Sequence, residues 1–332
     1  MDFALDKLKD FVENKTGSCR MLTVGDVMLD KYYYGEVTRI SPEAPVPVTR
    51  VTSTKETLGG AANVAHNLAL LGCQTEIVGF VGDDFHCKSL REKFKSRGIG
   101  SSGLVYTDAP TTTKLRVIGG HQQMIRLDFE ETEPPDEKYR TELMKQIDSK
   151  IAAGIDGVVI SDYGKGVCTG DVCAHIVEEC AKRSIPVVVD PKGRDWERYE
   201  GADYVTPNLK ELNEILPNRI KNIDEAVEQG ARYAMEKFGI ENVITTRSEC
   251  GLTLVQHDGA VHIPTIAQEV FDVSGAGDTV IAVFAMALSG GMTAPSSAYL
   301  ANLAASVVVA KLGTYAVSKE ELLQALNNIS GC

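Results

Sequence analysis

From residue 136 onward, short apolar runs alternate with longer stretches whose apolar residues recur at helical spacing. That alternation confines the chain to an α/β architecture, a doubly wound, mostly parallel sheet with helices on both faces. The spacing predicts helix 136–150, strand Gly157–Ser161, helix 169–183, and strands Val187–Asp190 and Tyr204–Thr206. Helices 209–216 and 223–238, strand Asn242–Thr246 and a hairpin near 251–263 follow, and helices 277–289, 295–310 and 319–328 close the chain. Upstream, Met21–Asp26 reads as a buried strand, Gln74–Val81 as another, and Asp84–Arg97 as a helix. Residues 2–16, with Phe3, Leu5, Leu8, Phe11 and Val12 near helical spacing, predict an amphipathic helix docked outside the main core.

Two blocks break the alternation. Residues 31–58 are β-rich, with prolines at 42, 45 and 47, residues that belong at strand edges and turns. A second block includes Thr112–Val117 and Met124–Phe129. Together, about 31–58 and 104–130 are expected to form a small β lid over a cleft. Lys114 and Arg116, two apart on a strand, share one face and suit a phosphate clamp, with Arg126 and Lys165 close by. Between the blocks, Gly59-Gly60-Ala-Ala-Asn63 opens a helix. The glycines permit either a ligand against the backbone or a close helix–sheet contact, with Asn63 available as a side-chain contact.

Polar groups collect at the predicted strand ends: Asp26 and Asp30, Ser161–Gly166, Asp190–Gly193, Thr206–Asn208 and Thr246–Glu249. Several such clusters in register point to a ligand cleft along one sheet edge. Asp26 and Asp30 could hydrogen-bond sugar hydroxyls or cap a turn. Asn208 and Glu211 have capping-box spacing, which also presents an amide and a carboxylate to Mg²⁺-bound water.

The Ser274-Gly275-Ala276-Gly277-Asp278 turn opens the most apolar helix of the chain. Its first amides lack intrahelical acceptors and sit at the positive helix end, a site for an anion or for charge developing in phosphoryl transfer. Asp278, in the first turn, places a carboxylate where it can take a proton from an attacking hydroxyl.

Composition narrows the classes. A net charge of −12 argues against a nucleic-acid surface. No apolar run approaches the length of a membrane span. The acidic N-terminus is unlike a signal peptide. The eight cysteines lack metal-ligand spacing, so reduced thiols in a cytoplasmic protein are expected.

Three of these motifs, Gly59-Gly-Ala-Ala-Asn63, Thr206-Pro-Asn208-x-x-Glu211 and Gly275-Ala-Gly-Asp278, resemble those of the ribokinase (PfkB) carbohydrate kinases in order and spacing. Further stretches resemble one branch, the D-glycero-β-D-manno-heptose 7-phosphate kinases of lipopolysaccharide core biosynthesis. They are Val24–Asp30, Arg39–Val48, Thr113–Val117, Gln122–Glu130, Ser161–Lys165, Asp190–Gly193, Ala267–Asp278 and Lys311–Thr314. The resemblance runs from about residue 20 to 320.

The resemblance implies one ribokinase-like kinase domain over residues 1–332. It implies an ATP-dependent, Mg²⁺-requiring enzyme, compatible with a monovalent cation, that phosphorylates the anomeric hydroxyl of heptose 7-phosphate to give the 1,7-bisphosphate. Asp278 would be the base, and Gly275, Ala276 and Gly277 the anion hole. The sugar phosphate would meet Asp26, Asp30, Gly59, Gly60, Asn63, Lys114, Arg116, Gln123, Arg126, Asp162 and Lys165. The nucleotide and its Mg²⁺ would lie near Lys192, Asn208, Leu209, Lys210 and Glu211, with Glu211 reaching the metal through water. Thr246, Arg247, Ser248, Gly251 and Asn302 would border the nucleotide. The chain departs from the wider family at Ser248, where many members have glycine. Some members continue into a nucleotidyltransferase domain; with Cys332 the last residue, that step is expected in a separate protein. A homodimer through the lid is also implied. The alternatives are a family kinase for another sugar or sugar phosphate, such as fructose 1-phosphate, and a non-catalytic sugar-phosphate sensor.

Overall fold

The computed structural model describes residues 4–120, 122–266, 269–311 and 313–330. Met1–Phe3 and, within the motif stretches above, Ala267, Gln268 and Leu312 lie outside the described residues. The chain begins with α1 (Leu5–Asp10), β1 (Arg20–Gly25), β2 (Val27–Ile40), β3 (Pro47–Gly60), α2 (Ala61–Leu70) and β4 (Gln74–Gly82). Next come α3 (Phe85–Ser96), β5 (Ile99–Thr107), β6 (Thr113–Gly119), β7 (Gln122–Phe129), α4 (Glu137–Ala152) and β8 (Gly157–Ser161). Then follow α5 (Gly170–Ala181), β9 (Val187–Asp190), β10 (Tyr204–Val205), α6 (Leu209–Ile215), α7 (Asp224–Phe238) and β11 (Val243–Thr246). The chain ends with β12 (Leu252–Gln256), β13 (Gly259–Ile263), α8 (Ala276–Ser289), α9 (Ala294–Val309) and α10 (Lys319–Ser330).

Nine strands form the main sheet in the order β13-β12-β11-β10-β9-β8-β1-β4-β5. It is parallel from β11 to β5, and the β12–β13 hairpin adds an antiparallel edge. The central strands are buried on both faces, as the continuous apolar runs of Leu22–Val24 and Val158–Ile160 require. Residues of α2, α8, α9 and α10 pack in one core cluster, and those of α4, α5 and α7 pack in a second. In α8 every residue from Asp278 to Ala287 is buried, the expected state of a helix apolar all round. No helix among the described residues is long and apolar enough to cross a membrane.

The N-terminal segment is not peripheral. Leu8, Phe11 and Val12 are fully buried in the same cluster as α8 and α10. The helix is also short: after α1 the backbone widens through a π turn (Phe11–Lys15) and then tightens through a 3₁₀ turn (Thr16–Ser18). Phe11 lies where Gly290 leaves room for it, since a Cβ at Gly290 would collide with its ring.

The four remaining strands form a second sheet, ordered β3-β2-β6-β7. This is the small sheet expected from the two β-rich blocks, with different limits. Residues 104–107 belong to β5, which pairs with β4 as the edge of the main sheet. The second sheet starts at Val27, because β2 leaves the main body immediately after β1.

Candidate active site

The chain builds outward in both directions from the neighbours β1 and β8, so their carboxyl ends form a switch point, the usual ligand position in an open α/β sheet. Gly25 closes β1 so tightly on β8 that a Cβ there would collide with the Ser161 carbonyl. Asp26 then turns into the loop after β8. Its Oδ2 accepts from the Tyr163 and Lys165 amides at 2.7 and 3.0 Å, and its Oδ1 from the Val167 amide at 3.2 Å. Burial pushes the Asp26 carboxyl up to about 6, with the negative Asp162 adding to the shift and the three amides opposing it.

Asp26 is thus the anchor of a loop, the turn-capping role that its position also allowed. The same holds for Asp162: Tyr199 Oη donates to its Oδ2 at 2.6 Å, Arg198 pairs with that oxygen at 3.1 Å, and the Gly164 amide donates to Oδ1 at 2.7 Å. A narrow cleft of about 30 Å³ opens beside Asp26 and Lys165, lined also by Thr112, Glu131 and Glu133.

Asp278 does not line that cleft; it lies at the start of α8. Gly275, at φ 82°, holds the left-handed turn that only glycine adopts without strain, and Ser274 and Gly277 are exposed. A Cβ at Gly277 would meet open space. The Ala276 amide donates to the Val273 carbonyl at 3.2 Å, and the Gly277 amide lies at the exposed helix end. One residue further on, Asp278 is only 3 % exposed. Asn63 Nδ2 donates to its Oδ2 at 2.7 Å, and Tyr163 Oη donates to its Oδ1 at 2.7 Å. Burial pushes this carboxyl up to about 6; the two donors pull it down and the negative Asp30 pushes it further up. A carboxylate so poised is ionised near neutrality yet basic enough to take a proton.

The Asn63 contact joins two motifs that are far apart in sequence, and a second rung supports it. Asn67, one turn further along α2, accepts from Thr279 Oγ1 at 3.0 Å and from the Val317 amide at 3.2 Å, and donates to the Asn63 carbonyl at 2.9 Å. Gly59 and Gly60 are buried where β3 returns to β2. A side chain at Gly59 would strike the Asp30 carboxylate, and one at Gly60 the Asp26 carbonyl. The crowding at the double glycine thus comes from β2 and the Asp26 backbone, and not from a helix–sheet contact.

Pairing in the small sheet puts Asp30 opposite Lys114, Arg116 opposite Arg126, and Lys114 opposite Asp128. All five share one face, as period-two alternation demands. Arg116 binds Asp30 at 2.7 Å, and Arg126 grips Asp128 through two bonds of 2.7 and 2.8 Å. Glu130 bridges Lys114 and Lys165, each at 2.7 Å. Burial alone would raise the Glu130 carboxyl, but these two lysines hold it below its usual range. Four cations thus face three carboxylates, leaving one positive charge in excess. Gln123 is exposed near the far end of β7, in register with Ile118.

On the other side of the switch point, Asn208 and Glu211 form a reciprocal capping box on α6, with bonds of 2.9 and 3.0 Å. Lys192 reaches the free Glu211 oxygen at 3.2 Å. Leu209 and Lys210 occupy the first turn of α6, half-buried and exposed respectively. Thr246 bridges to Asn208, and its amide donates to the Pro207 carbonyl at 2.9 Å.

The Arg247 side chain turns into the protein. It is buried, bonded to Asn222 (2.8 Å), Asp224 (2.5 Å) and Thr253 (2.9 Å). Asn302 is likewise turned to the protein, donating to the Pro264 carbonyl at 2.8 Å. Gly251, at φ 78°, is required by close approach, since a Cβ would collide with the Ile263 carbonyl and Pro264. Ser248 is exposed and left-handed, at φ 53°.

Residues 20–321 match the pfkB family carbohydrate kinase. The chain belongs to the pfkB family of carbohydrate kinases. It is 44 % identical over 317 residues to the bifunctional protein HldE of Pseudomonas syringae pv. syringae, covering 94 % of this chain and 64 % of that protein. It is 46 % identical over 312 residues to the bifunctional protein HldE of Gluconacetobacter diazotrophicus, covering 93 % and 64 %. The chain therefore spans just under two thirds of the length of these curated relatives. Among solved structures, Arabidopsis thaliana ribokinase complexed with ribose and ATP superposes with a TM-score of 0.72 at 20 % identity, covering 93 % of this chain and 98 % of that one. The tetrameric inhibited form of Escherichia coli phosphofructokinase-2 gives 0.76 at 18 %, covering 94 % and 99 %. These two likenesses show the fold.

Two residues of this pfkB kinase were not singled out from sequence. Tyr163 was visible only as part of a polar strand-end cluster, and its contact with Asp278 depends on packing across the sheet. Asp190 ends β9 with its carboxyl pushed well above the usual range, first by burial and then by the negative Glu211 and Asp278. Its position at a strand end beside Lys192 was the available signal.

Proposed function

We propose that the chain uses ATP to phosphorylate the anomeric hydroxyl of D-glycero-D-manno-heptose 7-phosphate, giving the 1,7-bisphosphate. The observation that carries this reading is the Asp278 carboxylate, held by Asn63 and Tyr163 at the open start of α8 and sensing Asp30, which in turn pairs with Arg116 of the cation-rich sheet face. An acid–base centre thus lies within electrostatic reach of groups suited to a second phosphate. The specific sugar rests on the motif resemblance and is supported by the 43–46 % identity to bifunctional HldE proteins.

In this reading Asp278 takes the proton of the anomeric hydroxyl as that oxygen bonds to the γ-phosphorus of ATP and the bond to the ADP oxygen breaks. The amides of Gly275, Ala276 and Gly277 stabilise the charge on the transferring group. Lys114, Arg116, Arg126 and Lys165 receive the 7-phosphate by exchanging their carboxylate partners for it, and the small sheet acts as a lid that excludes water.

Mg²⁺ fits the donor set on the nucleotide side. Asp190 and Glu211 repel one another electrostatically there, and a cation relieves that repulsion. Glu211 would hold the ion through its water shell, much of which Mg²⁺ keeps when bound. The ion would screen the phosphate charge. A monovalent cation is compatible with this reading; the Escherichia coli phosphofructokinase-2 was solved in complex with potassium.

A second copy of the chain is proposed to cover the opposite face of the lid, where Ile125, Leu127 and Phe129 alternate with Arg126 and Asp128 and stand exposed. The test of the function is mass spectrometry of the product formed from ATP and heptose 7-phosphate. A heptose bisphosphate supports the reading. Turnover of fructose 1-phosphate in preference, or of no sugar phosphate at all, contradicts it.

A further inference from the structure

Tyr163 reaches Asp278 from a loop braced by two buried acids. We infer that the Tyr163 hydroxyl is a positioning residue for phosphoryl transfer, clamping one oxygen of the Asp278 carboxylate while Asn63 clamps the other, so that the base presents a fixed lone pair to the sugar hydroxyl. The inference rests on the reading of Asp278 as the base.

The clamp is symmetrical: 2.7 Å from Tyr163 Oη to Oδ1 and 2.7 Å from Asn63 Nδ2 to Oδ2. A carboxylate bonded on one oxygen can still turn about its terminal bond; bonded on both, from opposite elements, it cannot. Fixing a reacting group within a fraction of an ångström is worth orders of magnitude in rate.

The loop that carries Tyr163 is held to match. Its own amide and those of Lys165 and Val167 converge on Asp26, and the neighbouring Asp162 is fixed by Tyr199, Arg198 and the Gly164 amide. Two buried acids thus brace five residues of loop from which one phenol reaches the base. This gives the buried Asp26 carboxylate a structural task.

The phenol acts as a donor and not as a base. Burial, and the negative Asp278, Asp190 and Asp30 around it, keep its proton on far above neutrality. The groups facing Asp278 are Asn63 from α2, Tyr163 from the loop after β8, Asp30 from β2 and Asp190 from the end of β9, with Glu211 of α6 beyond Asp190. Of these, Asn63 and Tyr163 favour the ionised base, and the acids oppose it.

The experiment is a ¹³C-carboxyl NMR titration of the full chain, with the Asp278 signal assigned by its loss in Asp278→Asn. In Tyr163→Phe the Asp278 midpoint moves up by about one unit, as loss of a donor to the charged form requires. The acid limb of kcat moves with it, kcat falls at least ~10-fold, and KM for ATP stays within about twofold. Incorporation of 3,5-difluorotyrosine at position 163, a stronger donor of nearly the same shape, moves the midpoint down and covers the case in which the phenylalanine variant misfolds. An unmoved midpoint in either folded variant overturns the inference. A moved midpoint in a protein that phosphorylates no sugar supports the clamp and sinks the proposed function instead.

Discussion

Asn63 Nδ2 lies 2.7 Å from Asp278 Oδ2, a buried contact between residues 215 positions apart. It ties the glycine-led start of α2 to the glycine-led start of α8. Asn63→Ala removes the donor and leaves a buried oxygen unsatisfied. The expected cost is about 1–3 kcal/mol of stability, read by urea unfolding, together with an upward shift of the acid limb of kcat. Unchanged stability and pH profile would show the contact to be incidental.

The pH dependence has a definite sign. With the Asp278 carboxyl at about 6, kcat rises as the pH increases through 6 and levels off above it. Stability runs the other way: an acid whose folded value is raised binds its proton more readily when folded. Its ionisation therefore weakens the fold progressively from about pH 4, where the unfolded chain ionises, to about pH 6. Between pH 4 and pH 8, Asp278→Asn should gain about 1–3 kcal/mol relative to the parent chain, measured as a difference of denaturation free energies. Asp26, with the same sign, is common to both proteins and cancels.

The lid cations predict a split between substrates. Arg126→Ala or Arg116→Ala removes a charge-assisted partner from the sugar side only, so KM for the sugar phosphate should rise roughly 10–100-fold while KM for ATP changes little. Steady-state kinetics with each substrate varied in turn decides it, and equal effects on the two would count against a phosphate clamp.

Ser248 stands left-handed at φ 53° in a segment where many family members have glycine. Ser248→Gly relieves that strain and should stabilise the fold by about 1 kcal/mol in thermal or urea unfolding. A neutral or destabilising result would mean that the serine side chain has a compensating contact.

The regular core was legible because its signals are local. Strands Gly157–Ser161 and Val187–Asp190 follow from short β-branched runs, and α8 from an uninterrupted apolar stretch behind glycine. The Asn208–Glu211 capping box needs only three residues of spacing, and it formed. Less legible was the direction in which a polar side chain turns. Asp26, Asp162 and Arg247 sit where strand-end logic places ligand contacts, yet each bonds to backbone or side chains of its own fold, as does Asn302 within α9. A carboxylate at a strand end can accept from a ligand or from a neighbouring loop, and the choice depends on loop paths that residue spacing does not encode. The N-terminal segment misled for a related reason: its helical periodicity is weak, but Phe11 fills the space that Gly290, far along the chain, leaves open.

The central claim is that Asp278 is the base of a phosphoryl-transfer site, and its most direct test is the turnover of Asp278→Asn with ATP and heptose 7-phosphate. The account predicts a variant that folds as the parent does, with kcat lower by roughly 10²–10⁴. A folded variant with near-normal kcat would contradict it.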